Sequence, residues 1–294
     1  HAGNIQQLAF AWQITRDDKF ALLAYDYAIA IGGWEHWGPG HFLNCADAAG
    51  PYATAYDWLY PAWVELGLDV EKIEEIIFTH AVIPGYYSRS ANTIPEGWMR
   101  YISGVLTKSG WGFNGTNNWN AVCSAGMVTA SLALVGKTTS TANIYIDTDV
   151  NGVSFEKSAL VTSVGTHTGL STYRDYAEWL INECMYGMAM NGLMQYVPDG
   201  SYIESSGYWS YGTNNFFEMC AALTTATAYN TGVPNDFGML DAWGIDRTCY
   251  YALNTQSGDF KTFNYHDSGS GTQDTSWFGY YGNYTGKTDL AAIR

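Results

Sequence analysis

The feature that most constrains the fold of this chain is a helical spacing of apolar residues that recurs along most of its length. It begins with Leu8 and Trp12, and after a short polar segment it resumes over Phe20–Ile31. Apolar residues three and four positions apart lie on one side of an α-helix, so this segment predicts a helical hairpin. The same spacing recurs in further segments as far as Leu253, and short links separate these segments. The sequence therefore predicts an all-α fold.

Several of the predicted helices are apolar on more than one side, as expected where each helix packs between neighbours. This pattern favours an α/α toroid of helical hairpins over a small bundle. Asp69 is positioned to cap one helix, and Asn117 or Asn118 to begin another. The further helices are predicted at about residues 48–66, 69–85, 95–108, 117–134, 173–188, 215–229 and 235–253.

Two segments depart from the helical spacing. Residues 138–172 are rich in Thr, Ser and Gly and include a short alternating stretch at 143–147, which predicts an irregular or hairpin insertion. The segment Phe260–Tyr265 is strand-like. The predicted organisation is a toroid domain over residues 1–254 and a C-terminal extension over 255–294.

Composition excludes some functions and favours others. With 13 Lys and Arg against 28 Asp and Glu, the net charge is −15, which argues against nucleic acid as a partner. No apolar run is long enough to cross a bilayer, so no membrane association is expected. The chain has 12 Trp and 23 Tyr, and these rings suit stacking against sugars as well as filling a core.

The five cysteines are widely spaced and form no Cys-x-x-Cys pair. This spacing indicates neither a zinc site nor a dense disulfide framework, and buried thiols are expected instead. The sequence predicts no metal and no cofactor, and it leaves the oligomeric state open.

Two motifs are the most distinctive. Residues 117–123 read Asn-Asn-Trp-Asn-Ala-Val-Cys at a predicted helix start, and residues 198–212, which include Pro-Asp-Gly-Ser-Tyr and Tyr-Trp-Ser-Tyr-Gly, lie in a predicted loop between helices. Together with residues 40–43, 56–60 and 263–268, they resemble the helical domain of heparinase II/III-like polysaccharide lyases, including alginate lyase-like members. The resemblance covers nearly the whole chain.

The resemblance implies an incomplete α/α toroid, usually followed by a β-sandwich domain that this chain is too short to contain. It also implies cleavage of a uronic-acid-containing polysaccharide by β-elimination, in a secreted or periplasmic protein. Such an enzyme must neutralise the substrate carboxylate and place an acid and a base at the sugar ring.

Asn118, or else Asn117, suits neutralisation of the carboxylate, because an amide and the free N–H groups of a helix start favour an anion. An ordinary N-cap is the alternative. Tyr208 best matches the acid/base tyrosine of the family, with Tyr211 as the second choice. Either tyrosine could instead be a packing residue.

Trp119 and Trp209 are predicted sugar platforms that could also be core residues. By position in the motifs, Asn120 and Glu204 join the substrate-binding set. Several relatives carry His where this chain has Trp119, which puts a His base at that point in doubt.

His41 and His80 could replace that base, although a lone histidine is more often structural. Arg89, Arg100 and Arg174 could gather to offset the acidic charge around an anionic substrate.

Two other functions stay open. A glycoside hydrolase on a similar toroid would use paired carboxylic acids drawn from Glu204, Asp199, Asp57 and Glu96. A glycan-binding domain without catalysis is the third possibility.

Overall fold

The computed structural model describes residues 1–38, 41–90, 115–142, 145–147, 157–159, 169–232 and 235–291. The chain divides into two compact units, the first comprising His1–Gly112 with Gly126–Cys184 and the second Phe113–Ala125 with Met185–Arg294. The predicted all-α class is confirmed. The toroidal arrangement of the helices stays a prediction.

The first unit contains the predicted N-terminal hairpin. Its helices are α1 (Ala2–Thr15), α2 (Asp18–Gly32), α3 (Phe42–Glu65), α4 (Val70–Ile77), a π-helical turn (Phe78–Val82) and α5 (Ile83–Ser90). It also holds the C-terminal part of α6 (Asn118–Leu132) and most of α7 (Tyr173–Met190). Arg16 adopts a left-handed conformation after α1, and the Asp17 carboxylate caps α2 by accepting a bond from the Lys19 amide.

Polar atoms of buried aromatic residues join α3 to α2. The Trp63 indole N–H donates to the Ala21 carbonyl at 2.9 Å, and the Tyr52 hydroxyl donates to the Ala28 carbonyl at 3.1 Å. Asp69 caps α4 as predicted, with its carboxylate 3.0 Å from the Lys72 amide nitrogen. The helix predicted over 95–108 lies outside the described residues.

A buried ion pair holds Lys137, five residues beyond the end of α6, against α4 in the first unit. The Lys137 Nζ atom lies 2.7 Å from Glu74 Oε1, and the Glu74 side chain is only 6% exposed. The Tyr56 hydroxyl donates to the same Glu74 oxygen at 2.6 Å. The Lys137 ammonium also lies 4.7 Å from the centre of the Tyr60 ring.

The predicted insertion contains a pair of short antiparallel strands. Strand β1 (Tyr145–Asp147) pairs antiparallel with β2 (Lys157–Ala159). A single antiparallel bridge between Ser140 and Thr172 closes the base of the insertion, close to the predicted ends at 138 and 172.

The second unit begins with the first turns of α6. Its other helices are a 3-10 turn (Gly192–Tyr196), α8 (Ser205–Thr231), α9 (Ile245–Asn254), α10 (Trp277–Thr285) and α11 (Thr288–Ala291). The prediction of a loop over residues 205–212 is wrong, because this segment forms the first turns of α8.

Three predictions near the C-terminus differ from the structure. The helix predicted from 235 begins ten residues later, at Ile245, and the helices α10 and α11 were not predicted. The strand-like segment 260–265 forms only one bridge, between Gln256 and Thr262. Residues 255–291 belong to the same compact unit as α8 and α9, and the domain organisation predicted from the sequence stays a prediction.

All five cysteines are buried free thiols, as the sequence predicts. In the described part of the chain, no helix combines the length and apolar character needed to cross a membrane.

Candidate functional site

The start of α6 is held by a carboxylate from a distant part of the second unit. Asn118, the first residue of α6, is 2% exposed. Its backbone N–H donates to Glu204 Oε2, and its side-chain Nδ2 donates to Glu204 Oε1 at 2.9 Å. One carboxylate therefore satisfies a free amide of a helix N-terminus and fixes the orientation of the Asn118 side chain.

Glu204 occupies the N-cap position of α8, but its side chain makes no capping bond to that helix. The next residue, Ser205, is fully buried and has a left-handed φ of 79°. A non-glycine residue in this conformation carries strain of about 1–3 kcal/mol and persists only where its surroundings impose it. The backbone that carries Glu204 is therefore held in an unfavourable conformation.

The first turns of α8 approach Asn118 closely at Gly212. A Cβ atom added to Gly212 would lie 3.3 Å from Asn118 Cβ and would overlap the hydroxyl of Tyr202. Tyr202 is 3% exposed, and burial raises the pKa of its phenol well above the usual value. Only glycine fits at this position without displacing a neighbour.

Tyr208 precedes Gly212 by four residues, so the two residues lie on the same side of α8, one helical turn apart. Its side chain is half-buried, as is that of Tyr211. Gly212 approaches Asn118, so the side of α8 that carries Tyr208 and Gly212 is the side that approaches the start of α6. The structure brings Asn118 and Glu204 together in the second unit.

A third motif, at residues 263–268, reaches the same end of α8. The Ser268 hydroxyl oxygen accepts a bond from the Gly207 amide at 3.0 Å. The Tyr265 and Tyr251 hydroxyls bond to each other, and Tyr251 also donates to the Tyr202 carbonyl at 3.4 Å. No signal in the sequence indicates this convergence beyond the shared resemblance.

Two predicted substrate-binding residues are instead core residues. Asn120 is fully buried, and its Nδ2 donates to the Gly115 carbonyl at 2.8 Å and to the Gly187 carbonyl at 3.1 Å. Trp209 is 1% exposed, and its indole N–H donates to Thr248 Oγ1 at 2.7 Å. The predicted sugar platform at Trp209 is therefore wrong, because the ring offers no face to a ligand. Asn120 likewise has a structural role.

The other two predicted substrate-binding residues of the first motif, Asn117 and Trp119, are half-buried. Asn117 uses its backbone carbonyl to accept a bond from Gln195 Nε2 at 2.8 Å. Trp119 stays the predicted sugar platform of this region.

Other predicted site residues belong to the first unit. His41 is exposed at the N-cap of α3, Arg89 is buried in α5, and Arg174 is exposed, with its Nε donating to the Val135 carbonyl at 2.8 Å. Arg100 and Glu96 lie outside the described residues.

His80 has a structural environment rather than that of a general base. Its Nε2 lies 2.9 Å from the Trp34 carbonyl, and its Nδ1 lies 2.9 Å from Thr79 Oγ1. A carbonyl can only accept, so Nε2 carries the proton in the neutral ring. Burial lowers the pKa of His80 below its usual value.

The second unit is strongly acidic. Its described residues include ten Asp and Glu but only three Lys and Arg. Arg247 and Lys261 pair with Asp246 and Asp259, and Lys287 donates to a backbone carbonyl. These cations are engaged elsewhere and not with Asn118 or Glu204.

Neither the family models nor the curated proteins that were compared with this chain gave a match. Within the described ranges, no group of three or more His, Cys, Asp or Glu residues is arranged to hold a metal ion.

Proposed function

We propose that this chain is the helical part of a polysaccharide lyase that cleaves a uronic-acid-containing polysaccharide by β-elimination. The proposal rests on the resemblance of three motifs to one family of lyases and on a single structural observation. That observation is the pair of hydrogen bonds between Asn118 and Glu204, which join the Asn motif to the Tyr motif across 86 residues of sequence.

Asn118 would bind the substrate carboxylate. A primary amide has two N–H donors, and Glu204 accepts from only one of them, at 2.9 Å. In the proposed mechanism, the second donor would hydrogen bond to the carboxylate of a uronic acid. Such a bond stabilises the enolate-like intermediate, because negative charge moves onto the carboxylate when the adjacent C–H bond breaks.

Tyr208 would act as the acid/base residue. Its phenolate would remove the proton beside the carboxylate, the electrons of that bond would form a C=C bond, and the glycosidic C–O bond would break. The resulting Tyr208 phenol can return its proton to the departing oxygen, so charge and protons balance. A phenol is a weak acid in water, so a neighbouring hydrogen-bond donor must favour its ionised form.

The test is digestion of a panel of uronic-acid polymers by the longest available form of the protein. Elimination leaves an unsaturated sugar with a new ultraviolet absorbance, whereas hydrolysis leaves none. Tyr208→Phe should abolish turnover, while Tyr229→Phe, at a 90% exposed position on the same helix, should leave it unchanged.

Each other outcome supports a different function. New reducing ends without the absorbance would favour a glycoside hydrolase. Binding without cleavage in every form of the protein would favour a glycan-binding role. Full activity of Tyr208→Phe would remove Tyr208 from the mechanism.

A further inference from the structure

We infer that Glu204 is a positioning residue that orients the Asn118 amide and does not itself contact the substrate. This inference rests on the proposed function for its catalytic consequence. Its structural part, the coupling of Glu204 to Asn118, can be tested without any substrate.

Both oxygens of the Glu204 carboxylate are committed to Asn118. Oε2 accepts from the backbone N–H and Oε1 from the side-chain Nδ2. Because the first bond fixes the carboxylate relative to the α6 axis, the second bond fixes the plane of the amide relative to the same axis. The remaining N–H of Nδ2 therefore has a defined direction.

The backbone around Glu204 supports this role. Its side chain does not cap its own helix, α8, although it occupies the capping position. Ser205 immediately after it is held in a left-handed conformation. The local conformation therefore serves to direct Glu204 toward another helix, and Tyr208 follows on the next turn of α8.

A carboxylate without hydrogen-bond donors at this point would oppose binding of an anionic sugar, because two like charges would meet at one amide. Here two N–H donors and the N-terminal end of α6 stabilise the Glu204 charge. The carboxylate thus contributes by geometry, and its effect on catalysis should pass entirely through Asn118.

The substrate-free experiment compares the side-chain amide signals of Asn118 in ¹⁵N-labelled wild type and Glu204→Gln, with assignment from Asn118→Ala. We expect these signals to shift in Glu204→Gln and not in Asp236→Asn. Asp236 is a matched control, because it is a buried carboxylate of the same unit that accepts bonds from the Gly238 and Leu240 amides. Unchanged Asn118 signals in Glu204→Gln would overturn the inference.

The kinetic experiment uses a polymer that the wild type cleaves. Glu204→Gln should lower kcat by about ten- to a hundredfold with little change in KM, because a misdirected amide acts mainly in the transition state. Asp236→Asn should keep the wild-type rate. Glu204→Asp, whose shorter side chain cannot reach both donors, should resemble Glu204→Gln and gives a second variant if one folds poorly.

The double variant Asn118→Ala with Glu204→Gln separates positioning from substrate contact. If Glu204 acts through Asn118, the double variant is no slower than Asn118→Ala alone. If the rate losses of the two single variants multiply in the double variant, Glu204 contacts the substrate. If Glu204→Gln is faster than the wild type, Glu204 obstructs the site. Either result contradicts the inference. Failure of the wild type to cleave any polymer would instead refute the proposed function. The comparison of the Asn118 amide signals would then still test whether Glu204 orients Asn118.

Discussion

Replacing Lys137 by Met should destabilise the first unit far more than the loss of an ordinary surface ion pair. Lys137 is the cationic partner of Glu74, whose side chain is 6% exposed. Removing one partner of a buried pair leaves an uncompensated charge, at a cost of about 3–5 kcal/mol. The Lys137 side chain is 26% exposed, so water can reach it and the cost should be smaller. We expect Lys137→Met to lower the free energy of unfolding by about 2–4 kcal/mol.

A second substitution at Glu74 should restore part of this loss. In the double variant Glu74→Gln with Lys137→Met, the glutamine oxygen can still accept the bond from Tyr56, and no buried charge remains. The double variant should therefore be more stable than Lys137→Met alone by about 1 kcal/mol or more. A double variant that is less stable than the single variant would contradict the reasoning.

The assay is urea unfolding at neutral pH, followed by tryptophan fluorescence. Lys261→Met provides the matched control, because Lys261 and its partner Asp259 are 62% and 61% exposed. Loss of that exposed pair should change the free energy of unfolding by about 0–1 kcal/mol. Equal effects of Lys137→Met and Lys261→Met would refute the buried-charge argument.

Three further predictions test other features. The pKa of His80 is lowered in the folded protein, so the free energy of unfolding should fall as the pH drops below about 6.5, where the unfolded chain takes up the proton first. This part of the pH dependence should vanish in His80→Gln and persist in His41→Gln. Trp209→Phe should cost about 2–4 kcal/mol through a cavity and a lost hydrogen bond, whereas Trp243→Phe, at a 66% exposed position, should be nearly neutral. Gly212→Ala should lower the thermal midpoint although alanine favours helices, because its methyl group has no room; an unchanged or higher midpoint would contradict the close approach.

Local signals in the sequence predicted the elements that depend on local chemistry. The cap at Asp69 follows from a side chain that bonds to a nearby amide, the Lys72 N–H. The start of α6 at Asn118 was also predicted, although the carboxylate that binds its first amide comes from the distant Glu204. Helical spacing likewise predicted α1 and α2, because each helix has a buried side that recurs every three or four residues.

The errors occur where tertiary packing overrides local preference. The segment 205–212 is rich in Ser and Gly, which favour loops in isolation. It is helical here because it buries Trp209 and Gly212 against the rest of the second unit. Residues 235–244 resemble a helix in apolar content, yet the positive φ values at Phe237 and Gly244 break it.

The role of Glu204 was beyond prediction for the same reason. In the predicted loop it was one of several carboxylates that could contact a substrate, and nothing in the sequence indicates that it reaches the helix that begins at Asn118. Once α8 begins at Ser205, Glu204 is directed to the start of α6 and takes up the backbone donor that was expected to favour a substrate anion. Under the proposed function, a uronic acid would therefore rely on the second amide proton of Asn118, and the rate of its cleavage, more than its affinity, would depend on how firmly Glu204 holds that amide in place.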